Sequence, residues 1–261
     1  RTNFSHLESR LSHLVAMPLR LLCICAHPDD ECFGFGGALA LYASRGVEVS
    51  VLCLTDGQAA TNRGDTSSNK ELGQTRRAEF EASCKVLGVK NYEILDYHDA
   101  RLEHEVFSEL AGVLVRHIRR LRPHVIITFG GEGGLNTHPD HTAVSAATTA
   151  GFHWSGSHKR YITVGDLWQP QRLYYLTSNF MLPDRQAPLL APWTHTLDIS
   201  SVFDKKKQAF EQHKSQAPLM QMALPLFEKH GPQERYTLAG AVAPQPARQS
   251  TDLFEGVAEQ D

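Results

Sequence analysis

The run Leu19 to Ala26 (LRLLCICA) does most to limit what this chain can fold into. It carries one charge and no polar alternation, the pattern of a strand buried on both faces, and such strands belong to parallel sheets covered by helices. Directly after it stands Ala26-His27-Pro28-Asp29-Asp30-Glu31, followed by the glycine-rich Phe33-Gly34-Phe35-Gly36-Gly37. A second polar run, His138-Pro139-Asp140-His141, lies about 110 residues further on, shortly after the strand-like His124 to Phe129 (HVIITF). Histidines and aspartates gathered at two strand ends form a metal-site pattern.

Strand-like and helical segments alternate between the two runs. Gly37 to Arg45 reads as a helix closed by Gly46, and Val47 to Leu54 as a second strand. Thr55 to Asn69 is a long polar loop of the kind that carries function. Ser68 and Glu71 have capping-box spacing and open a helix that runs to Leu87, before Gly88. Tyr92 to Leu95 is a short third strand. Val106, Leu110, Val113, Leu114, His117 and Leu121 share helical spacing, and Pro123 ends that helix. Pro139 suits the first position of the next helix.

This alternation predicts an α/β fold: a Rossmann-like, mostly parallel sheet with helices on both faces and strand order 3-2-1-4. Strands one and four then lie side by side at the switch point, and both polar runs meet beyond their carboxyl ends. A catalytic core is expected over residues 17–154. A smaller C-terminal α+β cap region over 155–240 completes the site, with strands at Arg172 to Thr177 and His195 to Ile199 and a polar helix over Val202 to Ser215. Pro225 is expected to interrupt the Met/Leu-rich stretch around it. Residues 1–16 read as an N-terminal extension and 241–261 as a flexible tail.

Composition excludes more than it identifies. With a net charge of -3, nothing points to nucleic acid or an anionic membrane surface as partner, and no apolar run reaches the ~18 residues of a membrane span. The five cysteines are odd in number, and Cys23, Cys25 and Cys53 sit in strand-like runs and Cys84 in a helical one, which suits buried reduced thiols in a cytoplasmic protein. Oligomeric state is open, a homo-oligomer included. The glycines at 34, 36 and 37 do not make a dinucleotide fingerprint, because Leu39 stands where its third glycine belongs. His117, His213 and His230 read as ordinary surface or edge histidines, Arg77 as solvated, and Lys205-Lys206-Lys207 as a solvated helix face.

His27 and Asp30, three apart in a turn, can send one nitrogen and one oxygen to a common point, and His141 can bring a third ligand from the neighbouring strand's end. Three N/O ligands with one open position describe a catalytic zinc site, although Fe2+ or Co2+ suits the same donors. Such a metal lowers the pKa of a coordinated water to about 7 and polarises a carbonyl, the two tasks of amide hydrolysis. Asp29, beside a ligand but chemically free, is the candidate general base. His138 is the candidate for stabilising the oxyanion or protonating the leaving amine, with Asp140 orienting it.

These residues resemble the LmbE-like/PIG-L zinc-dependent de-N-acetylases. The matching stretches are AHPDDE at 26–31, the glycine-rich start of the first helix, LTDG at 54–57, RRAE at 76–79 and HPDH at 138–141. The resemblance covers residues 19–150. It implies His27, Asp30 and His141 as zinc ligands, Asp29 as general base and His138 as the electrostatic group. By the same resemblance Arg76 is a substrate-side arginine and Asp99 an aspartate that hydrogen-bonds sugar hydroxyls. Some family members carry a tyrosine just before the HPDH run, where this chain has Asn136.

The expected activity is removal of an acetyl group from an N-acetylglucosamine conjugate, a small-molecule substrate. Two alternatives stand beside it: an amidase acting on a larger acyl group of a thiol-sugar conjugate, and a sugar-binding module with a vestigial metal site.

Overall fold

The computed structural model describes residues 18–179, 191–243 and 248–259. The expected extension 1–16 lies outside them. Five parallel strands follow from the apolar runs: β1 (Arg20–Cys25), β2 (Glu48–Thr55), β3 (Asn91–Tyr97), β4 (Val125–Phe129) and β5 (Arg172–Thr177). Every residue of β1 and β4 is buried, as unbroken apolar runs require, whereas the edge strand β3 is partly open to solvent. β6 (His195–Asp198) and β7 (Gln233–Ala241) complete one seven-stranded sheet of order β3-β2-β1-β4-β5-β7-β6, with β7 antiparallel to both its neighbours.

The helices are α1 (Asp30–Phe33), α2 (Gly36–Ser44), α3 (Asn69–Leu87), α4 (Phe107–Leu121), α5 (Pro139–Trp154), α6 (Phe203–Phe210) and α7 (Ala217–His230). α2, α3 and α6 pack together, and α4 and α5 form a second pair. Their boundaries follow local chemistry. Ser68 accepts the amide of Glu71 at the start of α3, Gly88 ends it at φ 79°, and Pro139 opens α5. No helix among the described residues is long and apolar enough to cross a membrane.

The C-terminal part differs from expectation in three respects. α7 runs through Pro225 instead of breaking there, which costs it one main-chain hydrogen bond. β7 carries Glu234 and Arg235 and follows Gly231-Pro232, so its strand character is hidden by charge and turn residues. Residues 248–259, expected to be part of a flexible tail, dock on the core. Leu253 is fully buried, its amide donates to the Tyr42 hydroxyl at 2.7 Å, and its carbonyl accepts from the Tyr174 hydroxyl at 3.0 Å.

The glycines after the first motif serve a buried carboxylate. Glu234 accepts the amides of Gly37 and Ala38 at 2.7 and 2.8 Å, the Lys206 ammonium at 2.6 Å and the Tyr236 hydroxyl at 2.9 Å. It thereby caps the N-terminus of α2, which has no side-chain cap of its own. A Cβ at position 37 would stand 2.6 Å from Glu234 Oε1 and overlap Ile199 as well. Lys206, read from sequence as solvated, is buried by this contact.

Candidate active site

Both polar runs reach one cavity of about 520 Å³ beyond the carboxyl ends of β1 and β4. His27, Asp29, Asp30, Arg76, Asp99, His138 and His141 line it, with Ala59, Ala60 and Thr61 from the long loop after β2. The structure brings together every side chain named from sequence, Asp140 lying just behind the lining.

Two histidines face each other across Asp30. His141 Nε2 stands 3.3 Å from His27 Nδ1 and 3.3 Å from Asp30 Oδ1, and His27 Nδ1 is 3.4 Å from Asp30 Oδ2. The far nitrogen of each ring meets an acceptor. His27 Nε2 lies 3.0 Å from Asp99 Oδ1 and 3.2 Å from Asp140 Oδ2, and His141 Nδ1 lies 3.1 Å from the Gly133 carbonyl. In the neutral rings these outer acceptors favour the protons on the outer nitrogens, which turns two lone pairs and a carboxylate toward one point. Such an arrangement repels itself unless a proton or a metal ion sits there, and acceptors behind the ligating histidines are what a metal site builds. The donor set His27, Asp30 and His141 therefore fits a divalent metal.

Two further groups lie close enough to share an ion, Glu31 with Cys32 and His213, and the trio His27, His138 and Asp140. Its carboxylate is already engaged, since Asp140 accepts the amides of Ala100 and Leu102 at 2.7 and 3.1 Å as well as facing His27. This corrects the expected partnership with His138. The carboxylate of Asp140 supports His27, and the Asp140 backbone amide is what donates to His138 Nδ1, at 3.1 Å. His138 caps α5 through that contact, which in the neutral ring leaves the proton on Nε2. Asp99 likewise stands behind His27, its other oxygen accepting the Ala59 amide at 3.0 Å.

Charge is concentrated here. Burial opposes ionisation of His27, but Asp140, Asp30 and Asp99 outweigh it and hold its pKa well above the ordinary value. Burial also disfavours the Asp30 carboxylate, yet His141 and His27 pull its pKa well below the usual range. Asp29 behaves differently: burial raises its pKa to about 6, with Arg76 opposing the rise and Asp30 adding to it. Burial, then His27 and His141, lowers the pKa of His138.

Asp29 belongs to none of these three groups. Its carboxylate pairs with Arg76 Nη2 at 3.0 Å, and its backbone sits at φ 113°, a conformation L residues rarely adopt. Arg76 is 2% exposed and still lines the cavity. It donates to the Gly57 carbonyl at 2.9 Å and also to the Pro28 carbonyl. Gly57, at φ 65°, has to be glycine because a Cβ would overlap that guanidinium. Arg77 is tied rather than merely solvated, to Asp56 at 3.1 Å and Asp96 at 2.7 Å.

His213, which the sequence presents as an ordinary surface or edge histidine, is 1% exposed and meets Glu31 Oε1 at 2.7 Å. Its sequence surroundings, Gln212-His213-Lys214-Ser215-Gln216, are polar throughout and carry no signal of burial. His117 is also buried, against Glu93 and Arg120.

Comparison with known proteins gives concordant results. The Bacillus cereus protein named "Probable N-acetyl-alpha-D-glucosaminyl L-malate deacetylase 2" is 32% identical over 206 residues, covering 78% of this chain and 86% of the relative. The mycothiol S-conjugate amidase of Streptomyces coelicolor is 30% identical over 224 residues, 75% of each chain. The structure of N,N'-diacetylchitobiose deacetylase from Pyrococcus horikoshii superposes with a TM-score of 0.68 at 24% identity, covering 91% of this chain and 93% of that one. The family described as "PIG-L: GlcNAc-PI de-N-acetylase" matches residues 22–152, a span that contains both polar runs and the strands that join them, and this chain belongs to that family of de-N-acetylases.

Proposed function

We propose that the protein removes the acetyl group from an N-acetylglucosamine conjugate, with zinc held by His27, Asp30 and His141. The observation that carries the reading is Asp29: a carboxylate next to the ligands, outside all three candidate metal groups, and held by Arg76. A bound zinc ion supplies Lewis acidity to the amide carbonyl and makes water more acidic.

The chain's own residues do the rest. Asp29 accepts the proton of the attacking water, and Arg76 keeps its carboxylate aimed and ionised. His138 presents Nε2–H toward the oxygen on which negative charge develops, and a donor placed there in advance is worth on the order of 3 kcal/mol. As the new C–O bond forms and the C–N bond breaks, the proton held by Asp29 passes to the leaving amine, and acetate and the free amino sugar depart. Asp99 and Asp140 fix the tautomer of His27 and leave the metal-facing nitrogen unprotonated. Five buried free thiols support a reducing, cytoplasmic setting.

The amidase relative makes a larger acyl group the competing reading. Purified protein is assayed for acetate and for free amine on N-acetylglucosamine conjugates and on thiol-sugar S-conjugates. Acetate is expected from the first, and amine without acetate from the second would favour the amidase. Asp29→Asn is expected to keep the metal and lose turnover. Acetate from neither substrate class, or full activity in Asp29→Asn, sinks the reading.

A further inference from the structure

We propose that Glu31 and His213 are positioning residues that hold Asp29 in its working conformation, an inference that rests on Asp29 as the proton acceptor. Asp29 is the only non-glycine residue of the first motif with positive φ, and a backbone held that far from its preferred wells costs about 1–3 kcal/mol. Surrounding contacts have to supply that. The Asp29 carbonyl accepts the amides of Cys32 and Phe33 at 3.2 and 2.9 Å and the Cys32 thiol at 3.1 Å. The Asp29 amide donates to Glu31 Oε2 at 2.8 Å. Both sides of the residue are thus gripped, one by the first turn of α1 and the other by a side chain.

That side chain is itself held from two distant places. Glu31 Oε1 accepts the Ser83 hydroxyl of α3 at 2.5 Å and faces His213 Nε2 at 2.7 Å, and both Glu31 and His213 are wholly enclosed. The other nitrogen of His213 has no hydrogen-bond partner among the described residues, so the ring's polar role is spent on Glu31. The segment that carries His213 is anchored two residues later, where Glu79 of α3 accepts the amide and hydroxyl of Ser215 at 2.7 and 2.6 Å. Glu31 is neither part of the His27, Asp30 and His141 donor set nor among the residues that line the cavity. Its hydrogen-bonded route to the chemistry is the Asp29 amide.

The test compares variants that keep or remove the acceptor. Glu31→Gln keeps an oxygen for the Asp29 amide, whereas Glu31→Met keeps the shape without it. His213→Gln keeps a donor for Glu31, and His213→Leu does not. A displacement of about 1 Å at a reacting group costs on the order of 100-fold in rate. Glu31→Met is therefore expected to lower kcat about 100-fold and His213→Leu about 10-fold. KM and zinc content stay unchanged, and Glu31→Gln and His213→Gln stay within about 3-fold of the parent. In 15N–1H spectra of the zinc-free protein, the Asp29 amide should lie downfield, remain so in Glu31→Gln and move upfield in Glu31→Met.

Parent-like kcat in Glu31→Met, loss of zinc in parallel with activity, or no rescue by Glu31→Gln overturns the inference. So does an unmoved Asp29 amide. Asp29→Asn separates the two levels of argument. If it is inactive while Glu31→Met is fully active, only the positioning role fails; if it retains turnover, the assignment of Asp29 fails and takes this inference with it.

Discussion

Replacing Glu234 by Gln tests whether one buried carboxylate ties the C-terminal strands to the catalytic core. Glu234 and Lys206 expose only 3% and 6% of their side chains, and they pair at 2.6 Å. Removing the charge of Glu234 leaves the Lys206 ammonium buried without its carboxylate partner, facing the Gln amide and, 5.2 Å away, the Phe227 ring. Breaking a buried pair in this way costs about 3–5 kcal/mol. The Gln amide also offers two donors to a site where four donors already converge, with a further penalty of about 1–3 kcal/mol that overlaps the first and does not add to it in full. A loss of about 3–5 kcal/mol is a large share of the roughly 5–15 kcal/mol that holds a domain together.

Lys206→Met should cost less, because Glu234 then keeps the Gly37 and Ala38 amides and the Tyr236 hydroxyl. The double variant should recover part of the Glu234→Gln loss, since no buried charge is then stranded. Urea unfolding followed by circular dichroism, at constant metal loading, measures all three. A Glu234→Gln cost below about 1 kcal/mol, or Lys206→Met as damaging as Glu234→Gln, would refute the reasoning.

Gly57→Ala has to adopt φ 65° and push its Cβ into the Arg76 guanidinium, so it should lose at least about 1 kcal/mol of stability and most of kcat, both read on one preparation. Asp140→Asn weakens the acceptor behind His27 and should lower zinc affinity about 10- to 100-fold in a competition titration with a chromogenic chelator. Leu253→Ala should destabilise by about 2–5 kcal/mol in urea, a loss that a flexible tail would not produce.

What could be read from the chain alone was set by short-range pattern. Unbroken apolar runs and helical spacing between residues 19 and 150 determined the 3-2-1-4 order, and the placement of two polar runs at strand ends brought His27, Asp30 and His141 to one point. Those features survive in sequence because each is local: a strand, a cap, a turn. The tertiary structure alone decided which acceptor supports which histidine, that Arg76 pairs with Asp29, and that Glu234 and Leu253 carry the C-terminal region into the core. The His213–Glu31 contact spans 182 positions, and the Glu234–Gly37 contact 197. A histidine among polar neighbours and a glutamate in a charged strand look solvated until the chain folds back, because burial is a property of what packs against a residue and not of the residues beside it in sequence.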